Sequence, residues 1–204
     1  MSKPLINCHC LGVVLSGGKS SRMGKDKSLL TRNNEDMLSF STQQLHNAGA
    51  SEVVVSGQQH GIADTIENVG PMGGIFTIIE KYQPQALLIL PVDLPLIDDE
   101  TLRQLKRVGE LSNQACFYQD NFLPLYLPIN AHVEQFFRQS FSQLTLDVKG
   151  AKGPSIKALL KQIPSKALMA KNKQRLFNAN TPEQWQQAKQ QFQPQHIKHR
   201  NIHV

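Results

Sequence analysis

The sequence predicts an α/β fold, a single domain built on a mostly parallel twisted sheet with helices on both faces. Three observations predict it. Leu11–Leu15 and Ala86–Val92 are short apolar runs, as strands buried on both faces are. Helix-like stretches alternate with strand-like ones over the first 110 residues, the pattern of parallel strands joined by crossover helices. The 204 residues carry 40% hydrophobic and 19% charged side chains, enough to bury one sizeable core.

The chain is organised around Leu11–Leu30, LGVVLSGGKSSRMGKDKSLL. After the apolar strand, Ser16-Gly17-Gly18 frees the backbone to turn and to bring N–H groups close to a ligand. Lys19, Arg22, Lys25 and Lys27 follow, with only Asp26 against them. Clustered like charges repel unless an anion sits among them, so the stretch reads as a polyphosphate cradle. It is neither of the two commonest glycine loops. The Gly24-Lys25 pair is followed by Asp26 rather than Ser or Thr, and the adjacent Gly17 and Gly18 do not fit G-x-G-x-x-G. An ordinary strand-to-helix turn followed by a solvated basic face is the structural alternative.

Further along, Met37–Ala48 reads as an amphipathic helix closed by Gly49, and Glu52–Ser56 as a strand ended by Gly57. Val69-Gly70-Pro71-Met72-Gly73-Gly74 reads as a rigid turn with exposed amides, ahead of a helix over Ile75–Tyr82. Asp93 stands at the carboxyl end of the Ala86–Val92 strand, where ligands bind in open α/β sheets. Asp98 caps a helix through about Val108, with Asp99 and Glu100 favourable to its dipole, so all three have structural work. Asp93 has none. A hard divalent cation takes one or two carboxylates plus substrate phosphates, which makes Asp93 the candidate metal ligand.

The second half is less regular. Ala115–Tyr118 and Phe122–Leu127 read as strands around Gln119-Asp120-Asn121, Asn130 as the cap of a helix through Phe137, and Ser155–Gln162 as a helix after a basic loop. In Asn178-Ala179-Asn180-Thr181-Pro182, Thr181 and Gln184 form a capping box with Pro182 at the first helical position. Asn178 and Asn180, at alternate positions, face one side, either as ligand amides or as turn formers ahead of the cap.

LSGGKSSRMGKDKSLL resembles the L-[AS]-G-G-x-S-x-R-M-G-x-D-K signature of nucleotidyltransferases that cap a phosphorylated small molecule from a nucleoside triphosphate. Their fold is Rossmann-like, of the nucleotide-diphospho-sugar-transferase type. With Gly-Pro-Met-Gly-Gly and Asn-Ala-Asn-Thr-Pro, the span from Leu11 to about Trp185 is most similar to the molybdenum cofactor guanylyltransferase family. The resemblance implies GMP transfer from GTP to the terminal phosphate of molybdenum-molybdopterin, with Mg2+ as cofactor. It implies nucleotide contacts from Leu15, Ser16, Gly17, Gly18 and Asn68, phosphate neutralisation by Arg22 and Lys27, and metal binding by Asp93. Asn178 and Asn180 would meet the acceptor, and molybdoenzymes or other cofactor-biosynthesis proteins would be transient partners. Asn68 departs from the family's usual aspartate, Ser56 from an asparagine in a relative, and Ser16 and Gly73 from alanine. The Asn68 departure puts base preference in question. A cytidylyltransferase, a sugar-phosphate-capping enzyme and a non-catalytic nucleotide-binding accessory protein are the alternative readings.

The expected organisation is an N-terminal tail (1–10), one domain (11–193) with a nucleotide half (11–110) and an acceptor half (111–193), and a basic tail (194–204). The net charge of +6 with 6% aromatics suits a small polyanion better than nucleic acid. Apolar runs are too short for a membrane helix, and the first residues lack signal-peptide features, so a cytoplasmic protein without membrane contact is expected. Cys8, Cys10 and Cys116 suit neither a disulfide framework nor a zinc site.

Overall fold

The structure, a computed structural model, describes residues 9–16, 27–66, 69–142 and 153–192. Strand β1 (Leu11–Leu15) comes first. A 3-10 turn (Lys27–Leu29) and a short hairpin, β2 (Thr31–Arg32) with β3 (Glu35–Asp36), lead into α1 (Met37–Asn47). Then follow β4 (Glu52–Ser56), α2 (Pro71–Tyr82), β5 (Ala86–Pro91) and α3 (Asp99–Ser112). The second half contains β6 (Ala115–Tyr118), β7 (Asn121–Pro128), α4 (Ala131–Ser142), α5 (Ile156–Gln162) and β8 (Ser165–Leu168). A 3-10 turn (Lys173–Leu176) and α6 (Pro182–Phe192) close it.

Six strands form one sheet in the order β4-β1-β5-β7-β6-β8. β4, β1 and β5 are parallel, β7 runs antiparallel to both β5 and β6, and β8 is parallel to β6. The sheet is therefore mostly parallel, as expected, with β7 as its reversed strand. Neighbouring residues on β1 and β5 point to opposite faces. Val14, Leu88 and Leu90 pack with Phe40 of α1, Leu102 of α3 and Trp185 of α6. Val13, Leu87 and Ile89 pack with Ile75 of α2, Phe136 of α4 and Leu159 of α5.

Local chemistry sets the helix starts. The Asp36, Asp98 and Ser155 side chains accept from Ser39, Thr101 and Ala158 amides at the first turns of α1, α3 and α5. Asn130 Oδ1 accepts from the His132 and Val133 amides and caps α4. At α6 the Gln184 amide donates to Thr181 Oγ1 while Gln184 Oε1 accepts from the Thr181 amide, the reciprocal box its sequence predicts.

Several boundaries differ. Helix α2 begins at Pro71 rather than Ile75, so Met72, Gly73 and Gly74 lie buried in its first turn rather than in an open bend. Proline suits the first helical position, where its missing N–H has no intrahelical partner to lose. Gly70 precedes it at φ 70°, a conformation that favours glycine. Helices α3 and α4 run to Ser112 and Ser142, beyond the expected ends. Cys10, assigned by its sequence to a tail, is 2% exposed and accepts from both the amide and hydroxyl of Ser51. The hairpin and β8 were not expected. No helix among the described residues is long and apolar enough to cross a membrane.

Candidate active site

The site is built where β4, β1 and β5 end together. In register, Leu15 pairs with Ser56 on one side and Pro91 on the other. Just beyond the strands, the Ser16 amide and hydroxyl both donate to the Ser56 carbonyl, at 2.9 and 3.0 Å. The Val92 amide donates to the Leu15 carbonyl at 3.2 Å. These bonds fix Leu15 and Ser16, just ahead of Gly17 in the sequence, against β4 and against Val92, the residue before Asp93. The chain passes from β1 to β4 on one flank and then to β5 on the other, so this edge is also a topological switch point, the usual ligand crevice of open α/β sheets. The Leu15 carbonyl and the Ser16 donors are thus engaged within the protein.

Asp93 is half-buried, with its Oδ1 shielded from solvent. Its carbonyl accepts the Ala179 amide at 2.9 Å. That bond brings the Asn-Ala-Asn element, from the far end of the chain, onto the carboxylate-bearing turn. Ala179 is 1% exposed, whereas Asn178 is exposed and Asn180 half-buried. The alternation turns both asparagines away from the core.

Lys27 opens the 3-10 turn that precedes the hairpin. Five residues on, Arg32 Nε donates to the Pro95 carbonyl at 2.8 Å, two residues past Asp93. The arm that carries Lys27 is therefore docked on the turn that carries Asp93. The Lys27 side chain lies outside the described residues, as do Gly17, Gly18, Arg22 and Asn68.

A second carboxylate belongs to the same edge and was missed in the sequence. The Ser56 hydroxyl donates to Asp64, which burial pushes above its usual carboxylate range, the hydroxyl partly offsetting the rise. Asp64 lies against the first turn of α2. A Cβ built on Gly74 would sit 3.1 Å from Asp64 Oδ1 and on top of Ser56 Oγ. One built on Gly73 would sit 3.3 Å from Asp64 Oδ2. Glycine at both positions is what lets this carboxylate approach the helix start. The available signal was an acidic residue without structural work, just ahead of a glycine-rich helix start.

A cleft of about 730 Å3 between α2 and α4, edged by Phe76, Phe137 and Phe141, contains none of the predicted site residues. Cys10 and Cys116 are buried and neither is in a disulfide. Among the described residues no group of three or more His, Cys, Asp or Glu side chains is placed to hold a metal ion. Asp93 instead offers a single hard oxygen ligand beside an expected phosphate cradle, a donor set suited to an ion whose coordination a substrate completes.

A mostly parallel sheet whose strands β4, β1 and β5 end together, with Asp93 just past β5 and a glycine-rich sequence just past β1, has the form of a nucleotide-handling α/β protein. Residues 12–163 match the MobA-like NTP transferase domain, and the chain belongs to that family of nucleotidyltransferases. A Xanthomonas euvesicatoria protein named molybdenum cofactor guanylyltransferase is 35% identical over 181 residues, spanning 85% of this chain and 91% of its own. Among solved structures, molybdopterin-guanine dinucleotide biosynthesis protein A from Archaeoglobus fulgidus superposes with a TM-score of 0.69 at 17% identity, covering 88% of this chain and 97% of that one. Rv0371c from Mycobacterium tuberculosis, in a complex with manganese, superposes with a TM-score of 0.57 at 16% identity, covering 89% and 98%. At these identities the two structures speak for the fold alone.

Proposed function

We propose that this chain transfers GMP from GTP to the terminal phosphate of molybdenum-molybdopterin, forming the guanine dinucleotide cofactor and pyrophosphate. The observation that carries the proposal is the convergence at one sheet edge. Val92 ties β5 to Leu15, and Ala179 ties the asparagine element to Asp93. The 35%-identical relative, which bears this activity in its name, supports the acceptor and the base.

In this reading a phosphate oxygen of the pterin forms a bond to the α-phosphorus of GTP. The bond from that phosphorus to the α,β-bridging oxygen breaks, and pyrophosphate leaves with the electron pair. The nucleophile is already an anion, so no strong general base is needed; positioning and charge stabilisation carry the rate. The amides of Gly17 and Gly18, on the anchor made by Leu15 and Ser16, cradle the phosphates, with Arg22 and Lys27 neutralising them. Asp93 would hold the divalent ion, Mg2+ in this proposal, which would supply positive charge to the phosphates. Asn178 and Asn180 bind the pterin acceptor.

Asp64 supplies the carboxylate that Asn68 lacks. Beside Gly73 and Gly74 it is a hydrogen-bond acceptor on the wall expected to hold the base. Asn68 remains in the nucleotide-binding set by resemblance, and a carboxylate acceptor favours guanine N–H donors. In this reading the nucleotide half is 11–110 and the acceptor half 111–193, and the pairing of β5 with β7 and the Asp93–Ala179 bond are among the contacts that cross between those spans. A cytoplasmic location and transient contact with molybdoenzymes belong to the same proposal; the buried thiols of Cys10 and Cys116 suit a reducing compartment.

A nucleotide panel tests the base and the ion. A ligand that binds the folded state raises apparent stability, so GTP with Mg2+ should raise Tm by several degrees, and CTP or GTP alone by much less. Equal protection by CTP would contradict the guanine assignment.

A further inference from the structure

The turn after Asp93 is gripped from two distant parts of the chain. Leu94, Leu96 and Ile97 are 2–3% exposed, and the Ile97 amide closes the turn on the Leu94 carbonyl at 3.2 Å. From the hairpin, Arg32 Nε donates to the Pro95 carbonyl at 2.8 Å. Its guanidinium lies 4.1 Å from the centre of the Phe40 ring and 5.0 Å from that of Phe192. From the 3-10 turn ahead of the asparagine element, Arg175 Nη1 donates to the Leu96 carbonyl at 3.4 Å and Nε to Asp98 Oδ2 at 2.8 Å. The other Asp98 oxygen caps α3 through the Thr101 amide.

Two guanidiniums close enough to oppose one another's charge would separate in open solution. Arg32 is partly stripped of water here; burial makes its proton easier to lose, the nearby Glu35 charge opposes that, and Arg175 adds to the loss. Carboxylates offset part of that repulsion, Asp98 at Arg175 and Glu35 near Arg32, and the carbonyl edge of a single turn meets both guanidiniums. Ala179 holds the Asp93 carbonyl, Arg32 that of Pro95 and Arg175 that of Leu96. Three donors from three segments therefore fix the backbone over four residues, and with it the direction in which the Asp93 carboxylate leaves the turn. Arg32 belongs to the arm that begins at Lys27, and Arg175 lies three residues ahead of Asn178. Each arm of the site is thereby tied to the same turn.

We propose that Arg32 and Arg175 are positioning residues that aim the Asp93 carboxylate at the divalent ion of the nucleotide complex; this rests on the reading of Asp93 as the metal ligand. Groups that orient a metal ligand affect metal affinity by about ten- to a hundredfold when removed. A planar guanidinium suits the task, since it stacks on Phe40 while its N–H fork meets fixed carbonyls.

The test measures Mn2+ binding to the full-length protein with GTP, by the electron paramagnetic resonance signal of free Mn2+. Parent, Arg32→Lys, Arg175→Gln and Asp93→Asn are compared, with melting curves and metal-free GTP binding on each. Arg32→Lys keeps the charge but loses the fork. Arg175→Gln, at a half-exposed site, guards against a variant that fails to fold. The expected result is a rise of about tenfold in the Mn2+ dissociation constant for both arginine variants, with metal-free GTP binding unchanged. Variants that melt earlier yet bind Mn2+ within about twofold of the parent would overturn the positioning role and leave the arginines as structural anchors. An Asp93→Asn protein with parental Mn2+ affinity would instead overturn the metal-ligand reading, and this inference with it.

Discussion

The Ala179 amide donates to the Asp93 carbonyl at 2.9 Å, joining the asparagine element to the residue at the end of β5. The bond uses the backbone of both residues, so it does not itself engage the Asp93 carboxylate or the flanking Asn178 and Asn180 side chains. If the two amides meet the acceptor, each replacement, Asn178→Ala or Asn180→Ala, should raise KM for the pterin about fivefold, the scale of one hydrogen bond, with KM for GTP unchanged. Steady-state kinetics with each substrate varied in turn checks this; a matching rise in KM for GTP would move the element to the nucleotide.

In the proposed reaction Asp93 and Lys27 carry the charge stabilisation. Asp93→Asn and Lys27→Ala are each expected to lower kcat by about 10²- to 10³-fold, the scale for one lost stabiliser of the transition state. Rapid-quench turnover measures both. Near-parental turnover in either variant would remove that residue from the chemistry.

Asp64 gives the site a pH signature. Burial raises its folded-state pKa, so its carboxyl favours folding when protonated, below the ordinary value of 3.8, and that contribution is lost as pH rises through the raised value. Above the raised value the ionised group is a cost to folding, which in the proposed reading serves nucleotide binding. Asp64→Asn should therefore melt higher than the parent at pH 7, the gap closing towards pH 3, while GTP affinity falls by about tenfold. Melting curves across pH with GTP titrations would show it. An Asp64→Asn protein that melts lower at pH 7 would contradict the sign.

Gly109 tests packing away from the chemistry. A Cβ there would fall on the Tyr126 ring, which packs against α3 from β7. Gly109→Ala should cost about 1–3 kcal/mol through overpacking, read as a lower urea midpoint, with kcat of the folded protein preserved. No loss of stability would mean that the ring yields freely.

Much of this architecture was legible in the residues because its signals are local. β1 and β5 are apolar on both faces, which exposes a strand without any partner being known. Asp98, Thr181 and Gln184 announce their helices through side-chain-to-amide geometry that spans only a few residues. The start of α2 was misread because Gly-Pro-Met-Gly-Gly is breaker chemistry by composition. The close approach of Val69, Asp64 and Ser56, which leaves no room for a Cβ at Gly73 or Gly74, explains why glycines stand in a helix start there. β8 is an edge strand with only Leu168 buried, so it has no apolar pattern to display. The grip of Arg32 and Arg175 on the turn after Asp93 spans 63 and 79 residues of sequence, and no local spacing encodes it.

The most direct measurement of the central claim is pyrophosphate release from GTP with Mg2+ and molybdenum-molybdopterin. Release is predicted to require all three together and to fall by at least about tenfold when CTP replaces GTP, the scale of a mismatched hydrogen-bonding edge. No release with the proper acceptor present would contradict a guanylyl-transferring enzyme.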